Sequence, residues 1–194
     1  MIQSFLETLQ RAWPFLIQGF QITIEIWAIS IVIGIVVGLF SCLMKISRFK
    51  VLNLISNFYI WLIRGTPMIV QALVVYFGMP QVIPGFHPTP FMAGIITLSL
   101  NAGAYLSEIF RSGIQAVPKG QTEAARSLGL SAGRTTVKIV LPQAFKIAIP
   151  PMVNQFIITL KDTSILTVIG LAEIVNKATQ YVSVRYDYFA TYVW

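Results

Sequence analysis

Polar side chains interrupt the apolar segments of this sequence, and such groups are costly inside a membrane unless they have a role there. Asn101, Tyr105 and Glu108 are spaced i, i+4 and i+7, so they share one face of a helix. Asn101 would lie near the middle of an apolar segment at about 91–110, with Glu108 about 10 Å nearer to its end. We expect this face to line a polar pathway.

A second polar group is the stretch "LKDTS", residues 160–164, inside an apolar segment predicted at about 150–171. Lys161 and Asp162 fall about 11 residues into it, near mid-membrane at about 1.5 Å per residue. The two groups together carry both signs of charge, which a zwitterionic solute requires. The candidate substrate-binding residues are therefore Asn101, Tyr105, Glu108, Lys161, Asp162, Thr163 and Ser164.

The same charges have a structural alternative. Glu108, Lys161 and Asp162 could form ion pairs between helices, and Arg64 could satisfy carbonyls freed by the neighbouring "GTP" sequence. Side chains that could support catalysis or bind a metal are scarce, since His87 and Cys42 are the only histidine and cysteine. His87 lies in the proline-rich "GFHPTP" and Cys42 in an apolar run. We predict no catalytic residue and no metal site.

The composition indicates a membrane protein. The chain has 194 residues, 56% hydrophobic and 11% charged, and a mean hydropathy of +0.74. Soluble domains carry about 25% charged residues. We therefore expect lipid to surround the chain, and we attribute its net charge of +7 to membrane topology and not to nucleic-acid binding.

The apolar segments predict an all-α, polytopic helical bundle that forms a single domain over residues 1–194. A span needs about 20 mostly apolar residues, and four segments qualify, at about 20–44, 53–79, 91–110 and 150–171. Gly34 and Gly38 predict close helix packing in the first, and Pro67 predicts a kink in the second. An interfacial helix is expected at about 2–14, with one apolar face. That face contains Ile2, Phe5, Leu6, Leu9 and Trp13.

The distribution of basic residues predicts the orientation. Nine follow the first and third spans: Lys45, Arg48, Lys50, Arg111, Lys119, Arg126, Arg134, Lys138 and Lys146. Three lie on the other side: Arg11, Lys177 and Arg185. We therefore expect the loop at about 111–146 in the cytoplasm and the N-terminus outside. The ending "YFATYVW" resembles the start of a further span, so we expect the natural protein to continue beyond Trp194.

The long loop contains signals for two short helices. Pro118 suits a helix start, Thr122 could cap the N-terminus, and Glu123 would then lie in the first turn. Gly129 suits the C-terminal cap, with a positive φ angle. Ser131 could begin a second helix, which Pro142 should interrupt.

The loop also carries a family motif. It fills every specified position of the pattern EAA-x3-G-x9-I-x-L-P, which resembles the EAA loop of membrane subunits of ABC importers. The matching residues are Glu123, Ala124, Ala125, Gly129, Ile139, Leu141 and Pro142. The segments "RGTPMIVQ", "NAGAYLSEIFRSGI" and "TLKDTSILTVIGLAEI" resemble the polar amino acid branch of that family. The resemblance covers nearly the whole chain.

The resemblance implies several partners. These are a second permease subunit, identical or related, a dimer of a cytoplasmic ATPase docked on the EAA loop, and a substrate-binding protein outside the cell. It also implies a multi-pass protein of the prokaryotic inner or plasma membrane that carries an amino acid. The sequence lacks the phosphate-binding pattern G-x-x-x-x-G-K-[ST]. We expect no cofactor in this chain, and ATP with Mg²⁺ on the ATPase.

Two other classes of protein are weaker alternatives. An ion channel or secondary transporter could use the buried charges, but would need no EAA motif. A membrane enzyme would need a metal cluster or a nucleophile with its base, and we find neither in the sequence.

Overall fold

The structure is a computed structural model that describes the backbone of residues 2–193 and the side chains of residue 8 and residues 10–193. Within that range it is helical and contains no strand. The α-helices are α1 (Ile2–Lys45), α2 (Lys50–Gly65), α3 (Met68–Leu73), α4 (Met79–Val82), α5 (Pro90–Gln115), α6 (Lys119–Ser127), α7 (Ala132–Thr135), α8 (Leu141–Asp162), α9 (Ile174–Arg185) and α10 (Tyr188–Tyr192). Two π-helical turns, Val74–Gly78 and Thr136–Val140, and a 3₁₀ helix, Thr163–Ile169, lie between them.

The all-α fold class is confirmed, but the predicted spans are only partly matched. Among the described residues, the helices at Gln10–Lys45 and Pro90–Gln115 are long and apolar enough to cross a membrane. The broken pair Lys50–Gly65 and Met68–Val82 qualifies if it is counted as one span. The fourth predicted segment, 150–171, does not qualify. Its α-helix ends at Asp162 and continues as a 3₁₀ helix, and its prolines and charges lower its hydropathy.

The N-terminal segment differs from the prediction, because α1 continues without a break through the region expected to separate two helices. Pro14 lies inside it. Ala12 and Leu16 are buried against Ala178 and Tyr181 of α9. On the predicted interfacial face Trp13 is exposed, whereas the side chains of Ile2, Phe5, Leu6 and Leu9 lie outside the described part.

The kink predicted at Pro67 is confirmed, and it is a complete break. Thr66 has φ −119° and ψ 146°, and Pro67 has φ −62° and ψ 134°. Both residues therefore have an extended backbone conformation. Proline lacks the amide hydrogen that a helix requires, and it disfavours helical backbone at the preceding residue.

The residues form two compact units, and each is described by itself. The first contains the chain up to Ser30, Pro67–Leu98, and the chain from Thr159. Its core combines side chains from α1, α3, the π-helical turn after α3, α5, and the 3₁₀ helix with the residues just after it: Ile26, Ala72, Val75, Ala93, Leu98, Leu166, Ile169 and Leu171. Burial of this apolar surface against its neighbours holds these elements together.

The second unit contains Ile31–Thr66 and Ser99–Ile158. Its core includes Ala102, Leu106, Ala148 and Met152. A Cβ atom on Gly34 would lie 3.0 Å from Ala102 Cβ, and one on Gly38 would lie 2.9 Å from Leu106 Cβ. The two glycines therefore let α1 and α5 approach closely, as predicted.

Replacing Gly38 by Ala should destabilise the chain. The new Cβ would also lie 3.1 Å from the Gly103 carbonyl oxygen, a backbone atom that cannot move aside alone. Overpacking of this kind costs about 1–3 kcal/mol. Thermal unfolding in detergent would measure the change. The matched control is Gly120→Ala in α6, where no atom lies within 4 Å; an equal loss of stability in both variants would contradict the prediction.

Candidate functional site

Glu108 lies at the centre of an ion cluster in the second unit. Its Oε1 atom is 2.6 Å from Lys45 Nζ, and its Oε2 atom is 2.7 Å from Arg111 Nη2. Arg111 also donates through Nη1 to Gln115 Oε1. The carboxylate therefore has two cationic partners within the chain, which supports the structural alternative for this residue. Neither Lys45 nor Arg111 was predicted to pair with it.

Tyr105 and Asn101 lie on the same helix as Glu108. The guanidinium carbon of Arg64 lies 4.8 Å from the centre of the Tyr105 ring, a cation–π contact. Asn101 is 9% exposed. The Tyr59 hydroxyl donates to the Leu100 carbonyl at 2.6 Å. Arg64, predicted to satisfy carbonyls, instead covers one of the candidate substrate-binding residues.

The other candidate group, residues 161–164, lies in the first unit, where the α-helix becomes a 3₁₀ helix. The Thr163 hydroxyl donates to the Leu160 carbonyl, and the Ser164 hydroxyl donates to the Lys161 carbonyl. Lys161 is exposed and Asp162 is half-buried. Neither forms an ion pair with any residue that the structure describes. Both charges are thus available for a ligand, unlike Glu108.

A buried carboxylate that the sequence reading missed is Glu173, which is 0% exposed. It caps α9 by accepting from the backbone amides of Val175 and Asn176, at 2.9 and 2.6 Å. It also accepts from the Thr167 hydroxyl at 2.6 Å. Glutamate is not a preferred capping residue. The available signal was a single acid within the apolar run "ILTVIGLAEIV".

The loop helix α6 begins earlier than predicted. Its N-cap is Pro118, and its first turn contains no acidic residue. Thr122 is therefore inside the helix and Glu123 lies beyond the first turn, so the capping prediction for Thr122 is wrong. Pro118, with its fixed φ angle, sets the helix start.

The C-terminal end of α6 matches the prediction. Gly129 has φ +84°, its amide donates to the Arg126 carbonyl, and the Leu130 amide donates to the Ala125 carbonyl. This pair of hydrogen bonds is a Schellman motif. Ser131 is the N-cap of α7, as predicted. The bend between the two helices is thus fixed by backbone hydrogen bonds.

The prediction for Pro142 is wrong, because the helical path does not end there. Pro142 is the second residue of α8, directly after the π-helical turn Thr136–Val140. A proline is tolerated in the first turn of a helix, where its missing amide hydrogen costs least. Ile139 is half-buried and Leu141 is exposed.

The two alanines of the EAA motif differ in exposure: one side chain is buried and the other is exposed. Ala125 is 5% exposed, whereas Ala124 and Glu123 are exposed. Leu128 is 82% exposed. Leu128 is the C-cap residue of α6, so a large apolar side chain is exposed beside the Gly129 bend. Sequence reasoning missed Leu128 because the motif does not specify that position.

Comparisons with known proteins identify relatives of this chain. Residues 14–193 match the family described as "Binding-protein-dependent transport system inner membrane component". The arginine transport system permease protein ArtQ of Bacillus subtilis is 43% identical over 175 residues, which cover 90% of this chain and 80% of that protein. The L-cystine transport system permease protein TcyB of the same organism is 39% identical over 173 residues, 88% of this chain and 72% of that protein.

A solved structure is similar over nearly the whole chain. It is described as an amino acid ABC transporter with histidines, and it superposes with a TM-score of 0.91 at 41% sequence identity. The similarity covers 97% of this chain and 87% of that chain.

Proposed function

The chain belongs to the family of binding-protein-dependent transport system inner membrane components, and from this premise we propose that it is the membrane-spanning subunit of an ATP-driven importer of polar amino acids. The names of its relatives support that substrate class. The subunit spans the prokaryotic inner or plasma membrane, with its N-terminus outside. It is a transport subunit and not itself an enzyme.

The observation that carries the proposal is the exposed surface of α6. Glu123 and Ala124 of α6 and its C-cap residue Leu128 present a carboxylate, a small side chain and a large apolar side chain. The Gly129 cap fixes the end of that helix. We assign this surface to the contact with a cytoplasmic ATPase dimer, which would bind ATP and Mg²⁺ and transmit its closure through the loop.

The translocation pathway is completed by a second permease subunit, and a substrate-binding protein delivers the amino acid from outside. Asp162 and Lys161 are the strongest candidates for contacts with the ammonium and carboxylate groups, because neither is neutralised within the described residues. Asn101 and Tyr105 offer neutral polar contacts from α5. Glu108 is a weaker candidate, since Lys45 and Arg111 already hold it.

The experiment that tests this function is purification of the tagged chain with the subunits that accompany it, followed by reconstitution with the cognate binding protein. ATP hydrolysis is then measured against a panel of polar amino acids. We expect an ATPase to co-purify, and one or a few amino acids to stimulate hydrolysis. Ion or solute flux through the chain alone, with no ATPase retained, would favour the channel or secondary-transporter alternative.

Asp162→Asn should lower uptake without preventing assembly. Loss of one charge-assisted hydrogen bond is worth about 1.5–3 kcal/mol, so we expect a fall of roughly tenfold or more. Uptake and subunit retention should be measured on the same proteoliposomes. Glu25→Gln, which neutralises an exposed carboxylate of α1, is the matched control and should change little. If Asp162→Asn loses assembly in step with uptake, the residue is structural.

A further inference from the structure

A polar cavity lies where the end of α1 meets the start of α2. Its volume is about 410 Å³, and it is lined by Ser47, Arg48, Lys50, Asn53, Leu54 and Asn57. Two of these six residues are basic and none is acidic. The cavity follows a helix apolar enough to cross a membrane, so it lies at the boundary between lipid and water, on the side predicted to be cytoplasmic.

The two basic residues of this cavity are available for a ligand. Arg48 and Lys50 are exposed, and neither forms an ion pair with any residue in the described part of the chain. Lys45, only a few residues earlier, is by contrast bound to Glu108. The positive charge at the cavity is therefore not neutralised by any side chain that the structure describes.

The cavity walls are held in place by hydrogen bonds. The Asn53 carboxamide donates to the Lys45 carbonyl and accepts from Asn57 Nδ2 at 2.7 Å. The Ser47 hydroxyl accepts from the Phe49 amide. The bond from Asn53 to Lys45 ties α2 to the end of α1, and the other two order α2 and the linker, so the cavity exists before any ligand enters.

An apolar stripe continues from the cavity along α2. Leu54, which lines the cavity, is followed by Phe58 and Trp61 at i+4 and i+7, and the three side chains are 70%, 59% and 69% exposed. The Phe58 and Trp61 rings lie 6.0 Å apart. Trp61 is about 10 Å further along the helix than Leu54, away from the charged end.

We propose that this cavity and stripe bind one anionic phospholipid, with its phosphate headgroup at Arg48 and Lys50 and an acyl chain along Leu54, Phe58 and Trp61. Basic residues beside a membrane helix attract anionic lipids electrostatically. A free phosphate compound would match the cavity but would leave the stripe unused. An acidic protein segment would match the charge but not an apolar stripe that runs along a membrane helix.

The test is fluorescence quenching of Trp61 by brominated lipid. The full chain, with its co-purifying subunits, is placed in nanodiscs of fixed phosphatidylglycerol and phosphatidylcholine content, and only the identity of the brominated lipid is exchanged. The contribution of Trp61 is the difference between the parent and Trp61→Phe. Each basic residue near a surface favours anionic lipid about fivefold, so we expect enrichment of brominated phosphatidylglycerol of about twenty-five-fold for two such residues.

The double variant Arg48→Gln and Lys50→Gln should lose this enrichment. Its matched control, Arg134→Gln with Lys138→Gln, removes two exposed basic residues of the other cytoplasmic loop and should retain it. The proposal would be overturned if both brominated lipids quenched the parent equally. It would also be overturned if the two double variants lost the same amount of phosphatidylglycerol enrichment.

Two further measurements distinguish the phospholipid from other ligands of the cavity. Glycerol phosphate, a soluble headgroup analogue, should compete only weakly, and displacement of the brominated lipid at matched low concentrations would assign the cavity to a free phosphate compound. The complex is also compared with the chain stripped of its ATPase, and enrichment should be equal in the two samples. Its disappearance on ATPase binding would instead assign the basic cavity to a protein partner.

Discussion

Replacing Glu173 by Ala is expected to unfold the chain at a much lower temperature than the parent. The substitution removes the acceptor of three hydrogen bonds, from the amides of Val175 and Asn176 and the hydroxyl of Thr167. Hydrogen bonds to charged groups contribute about 1.5–3 kcal/mol each, and a buried donor left without a partner costs a similar amount. We expect a loss of roughly 4 kcal/mol or more, read from denaturant or thermal unfolding in detergent.

Two variants separate the hydrogen bonds from the packing around this side chain. Glu173→Gln keeps the volume and one side-chain oxygen, so it should lose less stability than Glu173→Ala. Thr167→Val removes a single donor and should cost about 1 kcal/mol. Both substitutions remove the hydrogen bond between Thr167 and Glu173. The double variant should therefore lose less stability than the sum of the two single losses. An unfolding temperature for Glu173→Ala near that of the parent would show that water replaces the carboxylate.

Gly129→Val should uncouple ATP hydrolysis from uptake. Gly129 has φ +84° and open space where a Cβ would lie, so the penalty is in the backbone alone, about 1–3 kcal/mol. Straightening this turn would move Leu128 and the end of α6 out of the surface that we propose contacts an ATPase. We expect uptake per ATP hydrolysed, or the amount of ATPase retained, to fall roughly tenfold.

The matched control is Gly133→Val, four residues further on. Gly133 lies within α7, has no positive φ, and also faces open space. It should change coupling far less. Unchanged ATPase retention and coupling in Gly129→Val would mean that the loop is only a tether.

The sequence predicted the helical class and the broken second span because these depend on local chemistry. Hydropathy identifies long apolar helices, and Pro67 removes a helix donor wherever it occurs. Gly34 and Gly38 correctly predicted close helix packing, because the lack of a side chain is also a local property. The shape of the fourth segment depends on packing: the change from α to 3₁₀ after Asp162 is supported by Thr163 and Ser164, whose hydroxyls could equally have faced solvent.

Site prediction was limited in the same way. The EAA motif located α6, but only the fold shows that Ala125 faces inward and Leu128 outward. Asp162 remained a candidate since no described cation neutralises it, whereas Glu108 acquired two partners. Lys45 is 63 positions from Glu108, and no pattern of spacing links residues so distant. Glu173 is the one acid in an apolar run, but only the fold shows the amides and the hydroxyl that hold its carboxylate.

The π-helical turn Thr136–Val140 has a consequence for chain length. Each of its hydrogen-bonded rings encloses one residue more than an α-helical ring does. Removing one residue between Thr135 and Leu141 would restore ordinary α-helix there and leave the rotational phase of α7 and α8 unchanged. Deletion of one residue in the middle of α8 would instead rotate everything after it by about 100°. The turn would thus absorb a one-residue deletion with both neighbouring helices in register, but the deletion would shorten the spacing between Gly129 and Pro142 that the EAA motif specifies.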